Sequence, residues 1–214
     1  MTVSTTTPSA TPSAPRAGSS ATAAAFARQA RTALVLLLAA TVVLGLLYPL
    51  AVFGVGRLVP GGADGRLVEH EGRVVGSALL GQEFAGDEWF QPRPSVAGDG
   101  YDPLSSGASN LGPSSAELLA TVEERRAEVA ARDGVAPADV APDALTASGS
   151  GLDPDVSPRY ARQQVQRVAR ERGLEEAAVA ALVEQHVQDR ALGFLGAPRV
   201  NVLELNLALD RLAG

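Results

Sequence analysis

The chain has 214 residues, with 24 acidic side chains against 18 basic ones, two histidines and no cysteine. Without cysteine it has neither disulfides nor thiolate metal sites. Every basic residue is arginine, which excludes a P-loop lysine, a Schiff-base lysine and a Ser-Lys dyad, and the acidic balance argues against nucleic-acid binding.

Residues 1–25 are mainly Thr, Ser, Pro and Ala and cannot bury a core, so they are predicted to be a disordered cytoplasmic tail. Residues 32–56 then carry no charge, between Arg31 and Arg57. As a helix, that run is about 37 Å long, enough for a hydrocarbon layer of about 30 Å. It is apolar all round rather than on one stripe, unlike a buried core helix, and longer than the apolar region of a signal peptide. It therefore reads as a transmembrane anchor over 26–57, with Tyr48 at an interface. Arg16, Arg28 and Arg31 precede the run with no acid beside them, while all 24 acids follow it. The positive-inside bias places the N-terminus in the cytoplasm and residues 58–214 outside, as one domain.

Within that domain, 66–69 and 73–80 alternate like two strands of a β-hairpin about a turn at His70-Glu71-Gly72, which leaves His70 solvated. Residues 81–113, rich in Gly, Pro and Ser, read as a long ordered loop. Ser114 and Glu117 suggest a capping box for a helix that ends at Asp133-Gly134. Residues 135–157 form another loop. Ser157 then caps a second helix, with Pro158 at its first position, Tyr160, Val165, Val168 and Ala169 on its apolar face, and Gly173 at its end. A third helix is expected over 175–188, with His186 on its apolar side as a satisfied core or capping residue. An extended connector follows at Phe194-Leu195, and then a last helix over 202–212 capped by Asn201. The fold class is thus α+β: one N-terminal span, a short hairpin, long loops and about four helices.

No catalytic constellation stands out. Asp153-Pro154-Asp155 and the Asp99/Asp102 pair lack the alternating ligands of a calcium loop and read as turn caps. Thr146–Gly151 could cradle phosphate, but there is no lysine and no preceding strand, and Ser150 lacks a nucleophile elbow. An Arg/Gln face on the second helix (Arg162, Gln163, Gln166 and Arg170, flanked by Gln164 and Arg167) is either solvated or an interaction surface. The residues themselves leave open a free-standing, membrane-anchored domain that binds an extracellular ligand. An anchored hydrolase is disfavoured.

Several stretches taken in order resemble the C subunit of the Kdp potassium-transporting ATPase. They are Gly76–Gln82, Arg93-Pro94-Ser95, Tyr101-Asp102-Pro103, Ser106–Ser114, Thr146–Pro154, Gln164–Ala169 and the closing Gly196–Asp210. The resemblance runs from about residue 31 to 212, so the N-terminal tail is an extension. It implies a non-catalytic accessory subunit of a P-type ATPase, needed for assembly, with a channel-like potassium-binding subunit and an ATP-hydrolysing subunit as partners. ATP and K+ would be handled by the complex. It also implies a role as a catalytic chaperone raising ATP affinity, linked to a glutamine that falls on Gln164. The partner interface would involve Asn110, Ser148, Gly149, Ser150, Gly151 and Arg167. An extracytoplasmic domain conflicts with a nucleotide contact at Gln164, because the span separates that residue from cytoplasmic ATP.

Overall fold

The computed structural model describes residues 19–58 and 63–213. These fall into two compact units, an N-terminal helix and a C-terminal α+β domain. The predicted tail lies mostly outside the described residues, but from Ser19 onward the chain is already helical. The Ala-rich stretch before Arg28 is a strong helix former, so it extends the helix backward instead of remaining coil.

The N-terminal helix comprises α1 (Ser19–Val42), one π-turn (Val43–Leu47) and α2 (Tyr48–Leu58). Pro49 cannot donate a helical hydrogen bond, and the widened turn just ahead of it accommodates the misfit; there the Tyr48 amide reaches back to the Val43 carbonyl. Within this helix, Thr22–Leu58 is long and apolar enough to cross a membrane, and its large apolar side chains are exposed.

The domain opens with the expected hairpin, β1 (Leu67–His70) against β2 (Arg73–Ser77), antiparallel, with a bulge at Val68/Glu69. Glu71 and Gly72 both have positive φ, the backbone of a two-residue hairpin turn. His70 is not solvated as expected. It ends β1 with its Nε2 3.2 Å from an Asp210 carboxylate oxygen.

Helix α3 (Ala116–Asp133) is capped by Ser115 rather than Ser114: the Ser115 hydroxyl accepts from the Leu118 amide at 3.3 Å, which moves Glu117 off the capping-box position. It ends at Gly134 in the left-handed conformation, as predicted. Helix α4 (Pro158–Arg172) also keeps both predicted ends, Ser157 and Gly173. Helix α5 (Glu176–His186) stops two residues short of expectation, because Val187-Gln188 leaves it to form a strand. His186 is half-buried, with Nδ1 2.8 Å from the Leu182 carbonyl. Helix α6 (Val202–Ala213) starts on Asn201, whose side-chain oxygen accepts from the Glu204 amide.

A second sheet was not predicted. Strands β3 (Asp155–Val156), β4 (Val187–Gln188) and β5 (Arg199–Asn201) run antiparallel in the order β3-β5-β4. Two- and three-residue strands are too short to show a period in sequence. Phe194-Leu195, expected to be an extended connector, closes a tight turn on Ala191. The core forms where α4 meets α3, α5 and β5 and where α6 packs on α5 and β5, around Tyr160, Val165, Val168, Val179, Val183, Val200, Leu205 and Leu209.

Candidate functional site

One face of α4 organises the polar interior. Residues 161, 164, 165 and 168 recur at helical spacing and are all buried; Gln164 and Val168 are fully so. Arg167 lies one turn from Gln164, with only 1% of its surface exposed. The flank of the Arg/Gln face therefore points inward. Only Arg162, Gln166 and Arg170 remain in solvent, and Arg162 pairs with Glu184 at 2.6 Å.

The inward side chains hold an irregular loop, residues 86–91. Gln164 Oε1 accepts from the Gln91 amide at 2.7 Å, and its Nε2 donates to the Gln91 carbonyl at 3.1 Å. Asn206 on α6 does the same for Phe90, with both bonds at 2.9 Å. A primary amide carries a donor and an acceptor in peptide-like geometry, so it can substitute for a neighbouring strand; a carboxylate or an aliphatic side chain cannot. Consecutive residues of an extended segment point their backbone groups to opposite sides, so two helices each supply one amide.

Arg167 completes the clamp. Its Nε donates to Asp133 at 2.9 Å, Nη2 to Gln164 Oε1 at 2.7 Å, and Nη1 to the Trp89 carbonyl at 3.0 Å and to the Asp87 carbonyl. The Arg167–Asp133 ion pair has no side-chain exposure on either partner. Asp133 ends α3, where a negative charge opposes the helix dipole. Two arginines and an amide compensate: Arg132 Nε at 3.1 Å, Arg167 Nε, and Gln163 Nε2 at 2.7 Å. Arg132 also donates to the Tyr160 hydroxyl at 2.9 Å. Burial and the nearby Asp133 charge raise the Tyr160 pKa despite Arg132, so the phenol stays neutral. At the outer edge, Arg172 stacks its guanidinium 4.0 Å from the centre of the Trp89 ring and donates to the Glu88 carbonyl at 3.2 Å.

The Ser/Gly segment lies elsewhere. Ser148 and Gly151 are buried, whereas Gly149 and Ser150 are exposed. Its backbone carbonyls serve the long loop. The Ser150 carbonyl accepts from the Gly107 amide and the Ser106 hydroxyl, both at 2.9 Å, and the Gly151 carbonyl accepts from the Ser95 hydroxyl at 2.6 Å. Gly151 has φ +68, and a Cβ there would come within 2.8 Å of Ala97, so only glycine fits. Asn110 is exposed, in the left-handed region at φ +53. The structure thus joins Ser150 to Ser106 and Gly107. Asp102 and Asp153 each accept from the amide two residues on, as turn caps do.

The residues missed in sequence as parts of the site were Asp133, Asn206, Gln91 and Arg172. Asn206 did carry a signal: a lone amide between Leu205 and Leu207 in the leucine-rich stretch Leu203–Leu209.

Comparison with known proteins gives a consistent picture. Residues 30–211 match the family model described as K+-transporting ATPase, c chain. A protein of Kineococcus radiotolerans named potassium-transporting ATPase KdpC subunit is 72% identical over 182 residues, 85% of this chain and 93% of that one. Proteins of the same name are 52% identical in Mycobacterium bovis, over 86% of this chain and 99% of theirs, and 54% identical in Cereibacter sphaeroides, over 84% and 95%.

Proposed function

Since the chain belongs to the family of potassium-transporting ATPase C chains, we propose that it serves as the single-span, non-catalytic subunit of such a pump. In this reading, α1 and α2 anchor it and pack against partner helices. The N-terminus faces the cytoplasm, in keeping with Arg16, Arg28 and Arg31, and the domain from residue 63 onward lies outside. That domain acts as a rigid body seated on the channel-like subunit, which it stabilises there. Its exposed Gly149, Ser150 and Asn110 supply partner contacts.

The observation that carries this reading is the state of Gln164. Its carboxamide is fully buried, and its three hydrogen bonds all stay within the domain. A nucleotide could reach it only after residues 86–91 had left the clamp. Gln164 thus works by shaping the domain, and any effect of this subunit on ATP affinity passes through its partners.

The test is twofold. A tag on this chain should retrieve two large membrane partners in mild detergent, and a reporter fused after Gly214 should be active only outside the cytoplasm. A chain recovered alone would favour a free-standing envelope domain. A cytoplasmic reporter signal would reverse the orientation and reopen a nucleotide contact.

A further inference from the structure

Residues 189–197, between β4 and β5, are exposed except for the half-exposed Pro198 that follows them, and their turn carries three large apolar side chains. Leu192, Phe194 and Leu195 are 81%, 69% and 51% exposed. Apolar side chains grouped this way at a surface turn are costly in water and mark a contact site. The backbone is equally particular. Leu192 has φ +54 and Gly193 φ +82, and the left-handed region suits Gly, Asn or Asp but penalises leucine. The turn also closes on itself. The Ala191 amide donates to the Leu195 carbonyl at 3.0 Å, the Gly193 amide to Arg190 at 3.0 Å, and the Phe194 and Leu195 amides to Ala191 at 3.3 and 2.9 Å. A protein surface could supply hydrogen bonds to an open loop, but hydrocarbon cannot. A turn with its amides satisfied internally is what an apolar medium requires.

Connectivity brings this turn within reach of the bilayer. Arg66 comes eight positions after Leu58, the end of the long apolar helix, so the chain between them spans at most about 28 Å. Arg66 Nη2 lies 3.8 Å from one carboxylate oxygen of Glu204, and the other oxygen accepts from Gln188 Nε2 at 3.4 Å. One side chain at the start of α6 therefore joins the entry of the domain to the base of the turn. Leu192 follows Gln188 by four residues, up to about 13 Å of extended chain. Leu67, beside Arg66, and Val74 and Val75 in β2 are exposed too, so apolar exposure extends to the first strands after the helix.

We propose that the 191–195 turn is a second membrane contact, in which Leu192, Phe194 and Leu195 enter the leaflet on the domain's side while Asp189 and Arg190 stay among the headgroups. The ligand is a phospholipid surface without headgroup selectivity, since the turn's shoulder carries one charge of each sign. The domain is then held to the bilayer at two points. This inference rests on the membrane-anchor reading above and not on the pump.

The chain has no cysteine, so single substitutions can carry a nitroxide label. Phe194→Cys, Leu44→Cys in the apolar helix and Glu123→Cys on the exposed side of α3 are each labelled in the full chain. The labelled chains are placed in palmitoyl-oleoyl phosphatidylcholine nanodiscs, alone and within the assembled complex. Spin relaxation by oxygen against a nickel chelate gives the depth of each label. We expect the Leu44 label in hydrocarbon, the Glu123 label in water, and the Phe194 label about 5–10 Å below the phosphates in both samples. Leu192→Asp suits the left-handed backbone and should return the Phe194 label to water with the thermal midpoint unchanged. If the Leu44 label reads lipid and the Phe194 label reads water, the turn proposal fails and the anchor stands; if both read water, both fail. A Phe194 label shielded from oxygen and nickel alike in the complex would seat the turn in a partner subunit and overturn the proposal. So would a depth that Leu192→Asp leaves unchanged in a folded protein.

Discussion

Removing the Gln164 carboxamide tests the clamp most directly. Gln164→Ala deletes two hydrogen bonds to the Gln91 backbone and one to Arg167. A typical neutral bond contributes about 1 kcal/mol net and a bond to a charged group about 1.5–3, so the loss comes to about 4 kcal/mol. For a domain of this size, each kcal/mol moves the thermal midpoint by about 2–4 °C, which gives a drop of about 8–16 °C. Gln164→Met keeps most of the volume without the hydrogen bonds and should retain most of that loss, so the pair separates bonding from cavity formation. The assay is built into the molecule: Trp89 is the only tryptophan, and it sits in the clamped loop against Arg172. Its emission in the full chain in detergent should shift to the red in both variants, with melting at lower temperature. In the assembled pump, less complex should form, while the ATP concentration for half-maximal turnover stays put. A Gln164→Ala protein with an unchanged Trp89 melt and a weakened ATP dependence would refute this reasoning.

Asn206→Ala leaves the Phe90 amide and carbonyl unpaired and should cost about 2–3 kcal/mol by chemical denaturation, with the same change in Trp89 emission. Arg167→Ala removes one of the two arginine partners of the buried Asp133 carboxylate and leaves the Asp87 and Trp89 carbonyls without their donor; it should cost about 3–5 kcal/mol, more than the Arg162→Ala change at the exposed pair with Glu184, for which no stability loss is expected; paired denaturant midpoints check the contrast. Gly151→Ala forces a Cβ against Ala97 at a positive φ and should destabilise by at least about 2 kcal/mol, while Gly149→Ala, with open space around it, should stay within about 0.5 kcal/mol on the same assay. Burial, opposed by Arg199, pushes the Asp155 carboxyl above its ordinary value. The folded state then holds that proton more tightly than the unfolded one, so stability from this group grows as pH falls from neutrality through the raised value. Asp155→Asn should lose that gain, and denaturation midpoints across this range will show the wild type drawing ahead as pH drops; the opposite slope would mean a lowered pKa.

What could be read in advance was set by local chemistry. Ser157, Pro158 and Gly173 bracket α4 because caps act within a turn of themselves, and Glu71-Gly72 closes the hairpin for the same reason. The long apolar helix was legible because its signal is composition over many residues. The second sheet was not, since strands as short as Asp155–Val156 are created by their partners. The clamp was hidden for a related reason. Gln164 and Arg167 look like the border of a solvated face until Asp133, 34 positions before Arg167, and Gln91, 73 before Gln164, are brought to them. Ser114 offered a plausible cap one residue early, and only backbone conformation separates it from Ser115.

The placement of amides and an arginine inside α4, where apolar side chains would pack at less cost in desolvation, follows from the loop they serve. Residues 81–113 contain no helix or strand, and fixing each backbone residue costs about 1–2 kcal/mol in conformational entropy. Such a loop cannot be ordered by burial alone, because its own peptide groups would lose water without gaining partners. Gln164, Asn206 and Arg167 supply those partners from two rigid helices, at Asp87, Trp89, Phe90 and Gln91, and Arg93, Ser95 and Gly107 tie the rest of the loop to the 146–153 segment. The buried polar groups therefore set the shape of the surface that the loop presents. Variants of the clamp should alter partner binding in proportion to how far they release Trp89, and Arg162→Ala, which leaves the clamp intact, should do neither.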